Sequence, residues 1–345
     1  MTESPRAMIE RMRFGLPGGR GVLDARSPDS KLRQAEVADE LGFDCLWFGE
    51  EHFSSADAPV RRSPSAPLVL AAAAAARTTR IRIGLSSLLL TLHHSVRLAE
   101  EIATLDELSG GRVDVGIGWP GDRDATAFGR GETAEVSLPD QLDAMIGHWA
   151  GRPIEVDGVP HRVEPPPSQR PHPPIYVAAR NDEAVVWAAE RNYSLITPGV
   201  ESPTSLRRRL DLFAAHGGSV TEVPVERFCF VADSDALARR QALPLIKVLV
   251  ARQRRLGTID RHLGVTSDDD LDPERFYQES AIIGGPDSVA ARVAALRDDQ
   301  GVRYVNLRPS LTGLCPLELQ RTTVALFASE VIPRLNGPVE PTPPR

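Results

Sequence analysis

Residues 43–53 read Phe43-Asp44-Cys45-Leu46-Trp47-Phe48-Gly49-Glu50-Glu51-His52-Phe53. The first six are apolar enough for a strand buried on both faces, as in a parallel sheet covered by helices. Ahead of them, Asp29–Leu41 sets Leu32, Ala35, Val37, Ala38 and Leu41 near helical spacing, and Gly42 stands where a helix C-terminus favours glycine. Met12–Leu16 precedes that helix as a short strand. Strand, helix, strand is the unit of a parallel crossover.

The unit repeats outward. Pro67–Arg77 reads as helix and Ile81–Leu90 as strand, then Ser95–Leu108 as helix and Arg112–Gly118 as strand. Pro139–Trp149 is helical, the Pro-rich stretch Pro153–Pro174 reads as an exposed connection, and Ile175–Ala178 resumes as the fifth strand. Helix Asp182–Arg191, strand Tyr193–Thr197, helix Thr204–His216 and strand Val225–Ala232 follow. Asp235–Arg255 is a long helix kinked at Pro244, and Leu256–Phe276, with its Asp268–Asp270 run, reads as a loop or lid inserted before the last βα units. Asp287–Gln300 is helix, Val302–Leu307 the eighth strand and Pro316–Leu335 the last helix.

This alternation predicts one α/β domain, a (β/α)8 TIM barrel over residues 12–335, with an N-terminal tail of residues 1–11 and a Pro-rich, disordered tail of residues 336–345. A doubly wound open sheet is the alternative. Against it, no G-x-G-x-x-G follows the first strand, and several residues separate the Gly15–Gly21 glycines from the helix at Asp29.

The 345 residues are 41% hydrophobic and 25% charged, ordinary globular usage that permits one large core. Forty Lys and Arg against 47 Asp and Glu give a net charge of −7, and the basic clusters at 152–170, 207–209 and 252–255 lack interleaved aromatics, so no nucleic-acid partner is expected. Cys45, Cys229 and Cys315 lie far apart with no CxxC spacing, which argues against a disulfide framework and a structural zinc site and favours a reducing cytoplasm. The longest apolar run, Ala66–Ala76, has 11 residues, short of the roughly 18–20 of a membrane span, so no membrane association is expected.

In a barrel, chemistry sits at the C-terminal ends of the strands. Glu50-Glu51-His52-Phe53 puts two carboxylates and an imidazole there, the imidazole being the group that titrates near neutrality; a capping and solvating loop fits the same residues. Ser86-Ser87 interrupts an aliphatic strand, so two hydroxyls either bond to nearby backbone or line a cavity. His93-His94 reads as capping and packing rather than metal ligation, because adjacent histidines do not readily face one ion; no metal is expected. Gly116–Arg123 is a Gly-rich turn that lets backbone approach an anion or a planar ring. Ala178–Asp182 opens a helix, so its amides with Arg180 make a phosphate seat, unless Asn181 or Asp182 simply caps the helix.

Taken together, these runs resemble the bacterial luciferase-like, flavin-dependent oxidoreductases. The resemblance is carried by ELGFDCLWFGEEHF (40–53), HHSVRLAEEIATLDELSGGRVDVGIG (93–118), HPPIYVAA (172–179), GGPDSVAARVAALRDDQGV (284–302) and FASEVIPRL (327–335), in order along nearly the whole chain. It implies a barrel that binds reduced FMN or a deazaflavin coenzyme, with a non-prolyl cis peptide at Ser86-Ser87 bulging against the flavin ring. It places the flavin phosphate at Gly118–Arg123 and Ala179–Asp182, and the active-site motif at Glu50–Phe53. Cofactor contacts then fall to Ser86, Ser87, Gly118, Trp119, Arg123, Ala179, Arg180 and Asn181, and proton handling to His52 and Glu51.

The chain departs from the family pattern at Glu51, where luciferase-type members carry their first, catalytic histidine. It departs again at Trp119, where many have a phosphate-binding arginine, and at Arg180-Asn181, in place of Ser or Thr. Arg123 or Arg180 can replace the cation, and Trp119 can wall the ring. The implied function is a two-component flavin-dependent monooxygenase: a separate flavin reductase delivers reduced FMN, and dioxygen and a small organic substrate react with it. A deazaflavin-dependent hydride-transfer oxidoreductase shares the fold, and a non-catalytic flavin-binding barrel is the reading outside enzymes. Members commonly form homodimers, and the Ala-rich face Ala71–Ala76 would serve close helix packing between subunits or within one.

Overall fold

The computed structural model describes residues 11–18, 28–53, 66–130, 137–199, 201–256 and 272–337. Most of the expected lid (257–271) and nearly all of both expected tails (1–10 and 338–345) lie outside the described residues.

Strand β1 (Arg13–Pro17) is followed by α1 (Pro28–Glu40), β2 (Cys45–Phe48), α2 (Pro67–Arg77), β3 (Arg82–Leu89), α3 (Ser95–Ser109) and β4 (Val113–Gly118). After β4 come α4 (Asp122–Ala127) and α5 (Leu138–Trp149), then a hairpin of β5 (Ile154–Val156) and β6 (Val159–His161). The second half runs β7 (Ile175–Val177), α6 (Asp182–Glu190), β8 (Ser194–Leu195), α7 (Pro203–Ala215), β9 (Pro224–Val231), α8 (Asp235–Leu256), α9 (Pro273–Arg275), β10 (Ile282–Gly284), α10 (Pro286–Gln300), β11 (Tyr304–Arg308), α11 (Leu317–Leu326) and α12 (Ile332–Asn336).

One nine-stranded sheet of parallel pairs has the order β10-β9-β11-β1-β2-β3-β4-β7-β8. Its two arms meet at a seam crossed by side chains rather than a backbone ladder: Ser194 Oγ donates to the Glu222 carbonyl at 2.9 Å, and the Glu226 amide donates to Thr197 Oγ1 at 2.9 Å. The eight expected strands are all present, and the fold is the expected α/β barrel, with the helices packed outside the parallel sheet. Strand alternation sorts the core. Phe14, Leu16, Leu46, Phe48, Ile83, Leu85, Val113, Val115 and Ile117 join the main cluster beneath the helices, whereas Cys45, Trp47, Tyr176 and Tyr304 pack together as a separate cluster.

Local chemistry sets the helix ends. Gly42 and Gly110 follow α1 and α3 at φ 86° and 70°, a region that glycine enters without steric cost. His94, Asn181 and Ser202 accept amide hydrogen bonds at the N-termini of α3, α6 and α7. Ala71, Ala74 and Ala75 are buried within this one chain, so the Ala-rich face is used in intrachain packing.

Three readings are corrected. The expected exposed connection Pro153–Pro174 contains the β5–β6 hairpin, whose three-residue strands are too short to show alternation. Pro273–Phe276, the end of the expected lid, is helical, with the Asp272 side chain accepting from the Glu274 amide as its cap. The short strand β10, absent from the sequence reading, pairs with the end of β9, at Cys229, Phe230 and Val231. No helix among the described residues is long and apolar enough to cross a membrane.

Candidate active site

At the C-terminal ends of β2, β3 and β4 the ladder breaks. Leu85 pairs with Val115 and Leu88 with Ile117, so three steps on β3 face two on β4, and the extra residue falls at the cis Ser86–Ser87 bond. Glycines flank this bulge. A Cβ on Gly49 would lie 2.8 Å from the Ser86 carbonyl oxygen, and one on Gly118 would lie 2.6 Å from Ser87 Oγ. Both serines are only half-buried and stand at the barrel mouth.

Beside the bulge, the Glu50 amide donates to the Ser87 carbonyl at 3.4 Å, and its buried carboxylate gathers three donors. Leu89 N–H reaches Oε2 at 2.8 Å, His52 Nε2 reaches Oε1 at 2.8 Å, and His93 Nε2 lies 3.0 Å from both oxygens. Burial pushes the Glu50 carboxyl up, but the hydrogen bond and charge of His93, with Leu89 and His52, outweigh it and hold the pKa below the ordinary value. Burial likewise disfavours charge on His93, yet Glu50, aided by Glu101, holds the imidazole above its ordinary pKa. With Glu50 ionised, both Nε2 atoms are the donors, which leaves Nδ1 of His52 turned away from the carboxylate. The His52 ring packs against Phe128 at 4.5 Å and Phe53 at 5.9 Å between centroids.

The phosphate-seat residues lie one strand further round. Arg123 donates to the His52 carbonyl at 2.8 Å and to Asp124 Oδ1 at 2.9 and 3.0 Å, tying the β4 loop to the Glu-His turn. Arg180, exposed, donates to the Trp119 carbonyl and joins the ends of β4 and β7. Trp119 is half-buried against the main core, and Ala179 is buried. Asn181 Oδ1 is spent on the Ala184 amide at 2.9 Å, so the capping reading accounts for that atom. The mouth thus gathers a hydroxyl-bearing bulge, open backbone at glycines and two anchored guanidiniums, which is a donor set that fits a planar heterocycle carrying a phosphate.

The carboxylate joined to His52 is Glu50 rather than Glu51, which is half-buried at the same turn. The sequence reading also missed His93, taken as a packing residue; its neighbour His94 is indeed the helix cap, accepting from Val96 N–H at 3.3 Å. The signal for Glu50 was alternation. Leu46 and Phe48 point to the helix side of β2, so Glu50, two further on, is carried toward the loop after β3 where His93 lies.

Comparisons with known proteins bear on the family and the fold. A protein of Sinorhizobium fredii, y4wF, is 37% identical over 212 residues, covering 57% of this chain and 58% of its own. The oxygenase component of the flavin-dependent trigonelline monooxygenase of Acinetobacter baylyi is 27% identical over 226 residues, 60% of each chain. These matches thus span about three fifths of the length of the curated relatives. The fold matches that of the oxygenating constituent of 3,6-diketocamphane monooxygenase from Pseudomonas putida, solved in complex with FMN: TM-score 0.73, 22% identity, 94% of this chain and 99% of that one. The family model for luciferase-like monooxygenases matches residues 12–304, and the chain belongs to that family.

Proposed function

We propose that this protein is the oxygenase of a two-component flavin-dependent monooxygenase, taking reduced FMN from a separate reductase and using dioxygen to oxygenate a small organic substrate. The observation that carries the reading is the Glu50–His52–His93 cluster hydrogen-bonded at the edge of the Ser86–Ser87 bulge. Reduced FMN, when bound, supplies the electrons that activate dioxygen.

The chain's own residues do the rest. Ser86, Ser87 and Gly118 shape the wall against which the ring would lie, and Trp119 stands at its rim. Arg180 and Arg123 would hold the phosphate, with the backbone of Ala179 and Asn181 beside them. His93 keeps a proton at Nε2 against Glu50, and the His52 ring, held through Nε2, would offer its other nitrogen for proton handling. Glu50 takes the part that the sequence alone gave to Glu51. Phe53 and Phe128 pack on the His52 ring and limit water around it.

The test is titration with reduced FMN and with a reduced deazaflavin, followed by oxygen uptake with a reductase. Tight FMN binding with flavin-supported product formation supports the reading, and Arg180→Ala is expected to weaken FMN by about 10- to 150-fold, the value of one charge-assisted bond. Preferential deazaflavin binding with no flavin-supported oxygen use would overturn it in favour of hydride transfer.

A further inference from the structure

On the outer side of the barrel, away from the mouth residues, lies a second concentration of charge. Arg227 on β9 points out of the lumen into a cavity of about 230 Å3, with Pro203, Gln278, Ser280, Arg292 and Gln300 among its lining. The residue is 2% exposed, and among the described residues its guanidinium makes one hydrogen bond, Nη1 to the Glu226 carbonyl at 3.1 Å, out of five N–H donors. A buried cation with most of its donors unused is costly unless something accepts from them.

The nearby carboxylates do not take that part. Glu226 is ion-paired with Arg308 at 2.9 Å, and Glu201 gives its Oε1 to Arg209 Nε and Ser205 Oγ, both at 2.9 Å. Inside this shell Arg209, Arg227 and half-buried Arg292 outnumber the one buried carboxylate, Glu201, whose Oε1 is taken by Arg209 and Ser205 and whose Oε2 makes no hydrogen bond among the described residues, so positive charge is in excess. Glu279 and Asp299 line the outer rim, where solvent screens them. Burial pushes the Arg227 pKa down to about 10 despite Glu201 and Glu226, so it remains charged at neutral pH. The N-terminal end of α7, at Pro203, adds the positive end of a thirteen-residue helix.

We propose that this cavity is a binding site for a small oxyanion, a carboxylate or a phosphate, seated on Arg227 with Ser280 and Gln278 as neutral donors. The site lies outside the barrel mouth and does not depend on the flavin reading. Anion binding there would brace β9 and β10 against α7 and α10.

The test is calorimetric titration and thermal melting of the whole protein with sodium phosphate, sodium acetate and sodium chloride at equal ionic strength. A saturable effect of phosphate or acetate, absent with chloride, is expected, and the responding anion identifies the source chemistry. Arg227→Met is expected to abolish it. Ser280→Ala, which removes only a hydroxyl, is expected to fold normally and weaken binding about 10-fold, so the proposal stays testable if Arg227→Met does not fold. Absence of any anion-specific effect overturns the proposal, as does a phosphate effect that survives Arg227→Met and vanishes in Arg180→Ala.

Discussion

The two ends of the barrel bury charge in opposite ways. At the N-terminal end Arg82 grips Asp114 through Nε at 3.1 and 3.0 Å and Nη2 at 2.6 Å, and also donates to the Val113 carbonyl and to Gln169. Trp47 Nε1 donates to Tyr304 OH at 3.1 Å above this pair, and Arg13 lies 4.7 Å over the Tyr304 ring. Burial pushes the Cys45, Tyr176 and Tyr304 groups far up, and Asp114 more than offsets the burial of Arg82 and raises its pKa. Arg82, Cys45, Tyr176 and Tyr304 therefore each keep one protonation state across the physiological range. At the C-terminal end the charged partner of the buried carboxylate is an imidazole, whose proton can leave near neutrality. One end therefore fixes the fold and the other is able to move a proton, which is the division of labour expected of this architecture.

Arg82→Met breaks the first end most severely. Asp114, its side chain 2% exposed, would be left buried without its cation, and a loss of about 3–5 kcal/mol is expected from urea unfolding. A loss under about 1 kcal/mol would mean that the N-terminal plug is not the stabilising end. At the other end, Glu50→Gln is expected to cut turnover about 10²- to 10⁴-fold while leaving unfolding nearly unchanged, because the carboxamide oxygen still accepts from Leu89. Steady-state kinetics beside a melting curve separates the two effects, and a large drop in stability would contradict the contrast.

Gly84→Ala probes the packing between the ends. Its Cβ would lie 2.3 Å from the Trp47 ring, and overpacking of that kind costs about 1–3 kcal/mol, readable in the same urea experiment.

The smallest effect is the pH dependence of the mouth. The Glu50 contribution is present above the ordinary glutamate value and is lost as pH falls through its lowered pKa; the His93 contribution is present below the ordinary histidine value and is lost as pH rises through its raised pKa. The pair is thus at full strength between about pH 4.3 and 6.5 and weakens above. Melting temperature is expected to fall from about pH 6 to about pH 9 in the native protein and to stay flatter in His93→Gln. Equal slopes in both would show that the pair does not titrate.

Much of this architecture was legible in the order of residues. FDCLWF, RVDVGIG and the aliphatic run around Ser86-Ser87 are continuous apolar segments between helical patterns, and a parallel sheet buried on both faces writes itself that way. The position of the bulge and the mouth residues followed from the family resemblance. The three-residue β10 and the β5–β6 hairpin escaped because such short strands carry no period to read.

Sequence by itself determined the alternation of elements, the end of the barrel where chemistry belongs, and the residue types offered there, because these depend on local periodicity and on chain order. Tertiary structure alone decided which carboxylate meets His52, that His93 crosses from another loop to share it, and that Arg227 stands buried beside a cavity. The first turns on how the chain bends within two residues after β2, the second joins segments 43 residues apart, and the third is the result of where a side chain is left without neighbours; none is set by the spacing of residues along the chain alone.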